Sequence, residues 1–449
     1  MTRVFAIFLG LLAGWVALES AQGLTVDETH IGKTKIWTLH QKGAPIVGVS
    51  LIFPRGSNIE PNGLEGLMAL HDGMLFEGSE HYSAQELQNF LREHGIRIFI
   101  NPDLHATRLL MTAPKAHLEQ ALAILEEMIS RPSFAPERLE HLKRQSILGL
   151  HTLSESPSYA MSRVFAKLAC HGHPCEKDHT GTTQTISRIT PHNIRDFHLA
   201  LFNPDGVKVL VCGDLDPQIV PKLTQRVLSA LPKSSSPGIR DRLPVAPLDE
   251  PGSIHYIQHP SSHASFFYYK KGLPLFHKDY FALMLANEIL GGSRLSSRLY
   301  EHIRIKEGLV YSIGQSLRPN YYKATITGFS SCKTDHMDPL IKAIRQTYDT
   351  FRKNGISDDE LASTKNALKG EFARRFQTIA DALGTLSFFL QEDFPSDYLE
   401  KRNQIIESIT KEDVRRAIQM YFDPAKLTFI VAGEKAPAQA IVETIRYPK

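Results

Sequence analysis

Gly66-Leu-Met-Ala-Leu-His-Asp-Gly-Met-Leu-Phe-Glu-Gly-Ser79 is a short, mostly apolar stretch in which positions 69 and 73 stand four residues apart. On a helix that spacing places two side chains on one face, close enough to reach a single tetrahedral metal ion. Ala69 and Gly73 fill the two positions, and neither carries a donor atom. Asp72 has a carboxylate that can accept a proton, but with no metal-bound water beside it there is nothing obvious for it to activate. His71 does not repair the site. It lies two positions from each of Ala69 and Gly73, roughly 200° around a helix, and so faces away from them.

The stretch resembles the metal-binding helix of the pitrilysin-like (M16) zinc proteases, whose frame reads approximately Gly-Leu-x-His-x-x-Glu-His-Met-Leu-Phe-x-Gly-Thr. There, two histidines hold zinc and the glutamate activates water. The resemblance puts Ala69 and Gly73 at the histidine positions and Asp72 at the glutamate. The family's third ligand is a glutamate in a pattern like Arg-Gln-x-x-x-Glu, about eight residues before a proline. Here Arg144-Gln-Ser-Ile-Leu-Gly149 precedes Pro157 at the matching distance, which places Gly149 at that glutamate. Three separate losses in a legible frame argue against zinc, so no cofactor is expected in this chain and no residue is assigned a catalytic role.

A second stretch keeps its side chains. Leu290-Gly-Gly-Ser-Arg-Leu-Ser-Ser-Arg-Leu-Tyr-Glu-His-Ile-Arg-Ile-Lys-Glu-Gly-Leu-Val-Tyr-Ser-Ile313 is similar to the family's glycine-rich lead-in followed by Ser-Arg-Leu-Phe-x-x-Ile-Arg-x-x-x-Gly-Leu-x-Tyr. The resemblance implies that Arg298 and Tyr311 contact substrate from the wall opposite the zinc. Their chemistry suits that role: a guanidinium offers several fixed donors to a carbonyl or carboxylate, and a phenol donates without adding charge. The bland alternative is that Arg298 pairs with an internal carboxylate and Tyr311 packs with its strand.

Composition fits an exported two-domain protein. The 449 residues are 42% hydrophobic and 22% charged, enough for at least two cores and far from a disordered composition. A formal charge of +3 and the lack of a basic stripe with interleaved aromatics give no support to a nucleic-acid partner. Residues 1–23 read as a secretory signal, with Arg3 ahead of the apolar run Val4 to Leu18 and small residues at Ala21 and Gly23; an uncleaved anchor is the runner-up. That signal implies the bacterial periplasm. In Cys170-His-Gly-His-Pro-Cys175 a local disulfide and a zinc site are both conceivable, with the oxidising compartment favouring the disulfide. Cys212, within Val207-Lys-Val-Leu-Val-Cys212, reads as a buried small hydrophobe, and Cys332 has no visible partner.

The chain also repeats itself. Ile189-Thr190, Phe202, Pro204 and Gly213 recur as Ile409-Thr410, Phe422, Pro424 and Gly433, each displaced by 220 positions (190 to 410, 213 to 433). So long a period indicates two similar domains and not a solenoid. The proline- and serine-rich run from Pro232 to Pro251 is the natural linker. The expected division is a leader at 1–23, a first domain at 24–235 with the degenerate helix, a linker at 236–249, and a second domain at 250–449 with the arginine and tyrosine. The expected class is α+β: two homologous domains, each an antiparallel β-sheet covered by α-helices, together forming half of a clam-shell. Helices are expected at Ser83 to Glu93, His117 to Ile129, Met337 to Arg352 and Asp358 to Arg375, and a strand at Ala324 to Phe329.

Together the two motifs imply a division of labour. Some bacterial M16 proteins are heterodimers in which one chain brings the zinc helix and the other brings the arginine and tyrosine. This chain has the second pattern, so the resemblance implies a noncatalytic subunit that holds an extended peptide or unfolded protein for a zinc-bearing M16 partner. Alternatives are a structural or chaperone-like M16 pseudoenzyme and, last, a hydrolase using another site. Self-association of the isolated chain as a homodimer stays open.

Overall fold

The computed structural model describes residues 24–232, 243–248, 251–292, 295–319 and 323–444. The expected leader at 1–23, most of the expected linker and part of the glycine-rich lead-in lie outside the described residues. Among the described residues no helix is long and apolar enough to cross a membrane.

Two six-stranded sheets organise the chain. The first is built from β1 (Val26–Ile31), β2 (Thr34–His40), β3 (Ile46–Phe53), β4 (Arg97–Pro102), β5 (Thr107–Pro114) and β6 (Lys208–Gly213), in the order β1-β2-β6-β3-β5-β4. The second is built from β7 (Ile254–Gln258), β8 (His263–Lys271), β9 (Val310–Pro319), β10 (Ala324–Lys333), β11 (Thr428–Gly433) and β12 (Ile441–Val442), in the order β12-β7-β11-β8-β10-β9. Sequence dictates which strands are central. Val209-Leu-Val-Cys212 and Phe429-Ile-Val-Ala432 are continuous apolar runs buried throughout, as a strand covered on both faces must be. Cys212 is accordingly a free, fully buried thiol, pushed up by desolvation.

The expectation of antiparallel sheets needs correcting: both are mixed, though mostly antiparallel. β2 runs parallel to β6, and β7 runs parallel to both β11 and β12. The reason is that β6 and β11 arrive after long helical connections, which can deliver a strand in either direction, whereas a tight hairpin cannot.

The helices fall close to where periodicity put them: Ala84–Glu93, Leu118–Ser130, Met337–Asn354 and Asp358–Arg374. The repeat is visible in the capping chemistry. Thr190 caps the helix Pro191–Leu201 through a capping box with Asn193, and Thr410 caps Lys411–Tyr421 through the same device with Asp413. Gly213 and Gly433 each end the central strand that follows.

By packing, the described residues divide into two compact units that are not contiguous in the chain. One holds residues 24–148, 179–232 and 369–404; the other holds 149–178, 243–248, 251–368 and 405–444, masked positions aside. The sheets follow the order of the sequence, but two covering helices do not. Ile379–Gln391, from late in the chain, lies on β3, β5 and β6 of the first sheet. Pro157–Ala169, from early in the chain, lies on β8 and β11 of the second. Gly48 permits the first of these contacts: a Cβ there would stand 3.0 Å from Ile379 Cγ2 and 3.1 Å from Leu383 Cδ2.

Candidate functional site

The motif stretch forms the helix Leu67–Met74, entered through Gly66 at φ 97°, a left-handed conformation that suits glycine. Leu67, Met68, Leu70, His71 and Met74 are buried, which fixes the helix's rotation. Ala69 is consequently exposed and Asp72 and Gly73 are half-buried. A Cβ on Gly73 would meet Leu142 Cδ1 at 3.1 Å, so part of the space for a side chain is already taken. Gly149, on the helix Pro136–Ser154, is exposed with nothing within 4 Å of where a Cβ would stand. The three positions cannot hold zinc because they have no donor atoms, and among the described residues no group of three or more His, Cys, Asp or Glu is arranged to hold a metal ion.

What the helix does hold is a buried hydrogen-bonded relay. His71 is fully buried, facing away from Ala69 and Gly73 as its position around the helix requires. Its Nδ1 lies 3.1 Å from Asp72 Oδ1 and its Nε2 lies 3.0 Å from Nδ1 of His198, whose Nε2 is 2.8 Å from the carbonyl of Ile129. Phe197 and Phe202 close the box, with ring centroids 5.5 Å from that of His71.

The proton inventory follows from the one acceptor in the chain that cannot change. The Ile129 carbonyl only accepts, so His198 Nε2 carries a hydrogen, and in a neutral ring His198 Nδ1 then accepts. His71 Nε2–H must donate to it, leaving His71 Nδ1 as an acceptor. Only a protonated Asp72 can donate to that nitrogen. Electrostatics agree: burial pushes His71 down to about 3, burial and the neighbouring His71 push His198 down to about 3, and burial pushes Asp72 up to about 7. The Asp72 carboxyl is thus the donor at the head of a relay.

The second motif is displayed on different elements. Arg298 precedes the π-helix Tyr300–Lys306. Its Nε and Nη2 donate to Glu360 Oε1 and Oε2 at 2.9 and 2.8 Å, and its guanidinium sits 5.0 Å from the centroid of Phe351. Burial pushes the Glu360 carboxyl up, but hydrogen bonds from Arg298 and Ser357 outweigh it and hold the group below its ordinary value. The pairing with an internal carboxylate that the sequence left open is therefore made.

Tyr311, by contrast, is 82% exposed. It lies at a bulge in the β9–β10 pairing: Ile313 pairs with Ser330 and Val310 with Cys332, so two residues of β9 oppose one of β10. Val310 and Ile313 are buried, and Tyr311 and Ser312 between them are both exposed. The guanidinium of Arg304 lies 5.3 Å from the Tyr311 ring centroid. Arg298 and Tyr311 thus share a segment but have separate neighbours.

Cys170 and Cys175 are joined as a disulfide, which removes both thiols from any metal site. His173 between them donates from Nε2 to the Pro244 carbonyl at 2.9 Å and accepts the Cys175 backbone N–H at Nδ1 at 3.1 Å.

Sequence reasoning did not single out His198, Glu360 or Arg304. The one available signal for His198 was a titratable residue on the otherwise apolar face of Ile194, Phe197 and Leu201. Glu360 carried a clearer mark, since Ser357 and Glu360 are spaced as a capping box, but nothing local connects that box to Arg298.

This geometry defines a class: an M16-type fold whose motif helix carries no metal donor at positions 69 and 73. Residues 35–171 match the insulinase (peptidase family M16) model and residues 188–368 match the peptidase M16 inactive domain, and the chain belongs to the M16 family. It is 22% identical over 441 residues to the non-peptidase homolog YmxG of Helicobacter pylori, covering 97% of this chain and 98% of that protein. It is also 22% identical over 329 residues to the uncharacterized zinc protease YmxG of Bacillus subtilis, covering 72% and 78%. Among solved structures, an M16 inactive domain from Pseudomonas fluorescens superposes with a TM-score of 0.85 at 23% identity, over 92% of this chain and 99% of that one. The periplasmic protease PqqL of Escherichia coli superposes with a TM-score of 0.78 at 16% identity, over 92% of this chain and 46% of PqqL.

Proposed function

We propose that this chain is the noncatalytic, substrate-binding subunit of a two-chain, exported zinc metallopeptidase, presenting Arg298 and Tyr311 to an extended peptide that a zinc-bearing M16 partner hydrolyses. The observation that carries the reading is the contrast between the two motifs: positions 69, 73 and 149, on two helices, carry no donors, while the other segment projects Tyr311 82% exposed. Zinc would belong to the partner, where a bound metal polarises a scissile carbonyl and acidifies water. In this chain the Tyr311 hydroxyl would donate to a peptide carbonyl, and Arg298 would orient the chain while keeping its carboxylate partner. The leader at 1–23 and the cystine support a bacterial periplasmic location.

One observation favours the structural reading instead. Arg298 Nε and Nη2 both donate to Glu360, as they would if the arginine served the fold. Reconstitution with an M16 homologue bearing an intact His-x-x-Glu-His motif separates the two. Tyr311→Phe is expected to lower peptide turnover roughly thirtyfold or more, the lower end of the range of about 2–4 kcal/mol for a preorganised transition-state donor, and to leave subunit association unchanged. Unchanged turnover in the Arg298→Ala/Tyr311→Phe double variant removes the substrate role. Dimer loss without a separate catalytic defect makes these residues structural.

A further inference from the structure

One face of the second sheet is only partly roofed. The Pro157–Ala169 helix lies over β11 and β8, and beside it stand the paired residues Thr325 with Arg318 and Thr327 with Ser316 of β10 and β9. Between helix and strands is a pocket of about 320 Å³, at the small end of the roughly 300–1,000 Å³ range of ligand sites.

Its wall is aromatic. Phe165 meets Phe267 edge-on with ring centroids 5.0 Å apart, and Phe267 meets Phe329 at 4.7 Å. Phe329 is 55% exposed, an apolar surface with no cover among the described residues. Thr325 and Thr327 also line the pocket; they are 2% and 8% exposed, and neither hydroxyl has a hydrogen-bond partner among the described residues. The remaining chemistry is positive. Arg318 is exposed, Lys323 Nζ stands 4.7 Å from the Phe165 ring centroid, and no carboxylate lines the pocket.

We infer that this pocket captures the C-terminal residue of a peptide ending in an aromatic or large aliphatic side chain. The inference rests on the peptide-binding role proposed above and says which part of the peptide this unit holds. A terminal residue brings three groups that diverge from one Cα: an apolar side chain, a carboxylate and an amide N–H. The pocket has a counterpart for each, in the phenylalanine wall, the Arg318 and Lys323 cations, and the two threonine hydroxyls as acceptors. A fatty acid lacks the N–H. An internal aspartate or glutamate carries its charge at the tip of the side chain, where the aromatic wall would meet it.

The test is fluorescence polarisation of an amino-terminally labelled decapeptide ending in Ala-Phe, as the free acid and as the amide, against the full chain. The free acid is expected to bind at least tenfold more tightly. Arg318→Gln is expected to erase that difference, and Phe329→Ala to weaken the Phe-ended peptide more than a Ser-ended one. Equal binding of acid and amide, or a preference untouched by Arg318→Gln, overturns the pocket and leaves the peptide-binding role standing. Arg318-dependent binding of 3-phenylpropanoate without binding of any peptide overturns both, the occupant then being a small free acid. The comparison of acid with amide needs no substitution, so a variant that fails to fold does not shelter the proposal.

Discussion

Asp72 carries the proton that heads a buried chain of hydrogen bonds starting on the Leu67–Met74 helix. In the folded chain its carboxyl is the donor to His71, which donates to His198, which donates to Ile129. The sign of the pH dependence follows. His71 and His198, lowered to about 3, bind fewer protons folded than unfolded between pH about 3 and 6.5, so their contribution to stability is lost as pH falls through that window. Asp72, raised to about 7, binds more protons folded than unfolded between about 4 and 7, so its contribution is lost as pH rises. Two protons against one leave a net gain of stability with pH between about 4 and 6.5, near 1.4 kcal/mol per pH unit where all three terms act. Asp72→Asn keeps a donor to His71 and removes the opposing proton. Urea unfolding of that variant across pH 4.5–6.5 is expected to show a slope steeper by about one proton, and an unchanged slope would mean that Asp72 is ionised in the fold. The sequence made half of this legible. Helical geometry alone turned His71 away from Ala69 and Gly73, but its partner His198 is 127 positions away and only the fold brings them together.

Elements were readable where their signals are local. The capping boxes at Thr190 and Thr410 need only a hydroxyl and a polar residue three positions on, so the 220-residue repeat exposed both. Thr190→Ala and Thr410→Ala should each cost about 1 kcal/mol in chemical denaturation, additively because the two helices belong to different compact units. What a local signal could not supply was strand direction, since β6 and β11 meet their parallel partners only after long connections. The bulge at Tyr311 was equally hidden: strict alternation would send either Tyr311 or Ser312 to the buried face, and the extra residue is what leaves both exposed between Val310 and Ile313. Deleting Ser312 would leave Val310, Tyr311 and Ile313 in regular alternation, so the ring is expected to stay outward, seen as undiminished exposure of Tyr311 to a solvent quencher or to iodination.

For the chain as a whole, the informative departure from a simple duplication is that each sheet takes a covering helix from the far half of the sequence. Residues 24–235 expressed alone would lack Ile379–Gln391 over β3, β5 and β6. Such a fragment is expected to bind ANS and to sediment as aggregates, and addition of residues 250–449 during refolding should restore a sharp transition. A fragment that unfolds cooperatively by itself would show that the exchanged helix is dispensable. Gly48→Val tests the same contact more gently. Forcing a side chain against Ile379 and Leu383 should cost about 1–3 kcal/mol by overpacking, with the strand otherwise tolerant of valine. The repeat foretold two domains because capping and strand residues recur, but no sequence signal marks which sheet a helix will lie on. The exchange also sets a timetable for the nascent chain. β6 leaves the ribosome well before Ile379–Gln391, and at roughly 5–20 residues per second the apolar surface of β3, β5 and β6 awaits its cover for on the order of ten to forty seconds. Over that interval a holdase has a defined surface to shield, and its release is timed by a helix encoded more than 150 residues downstream of the sheet it completes.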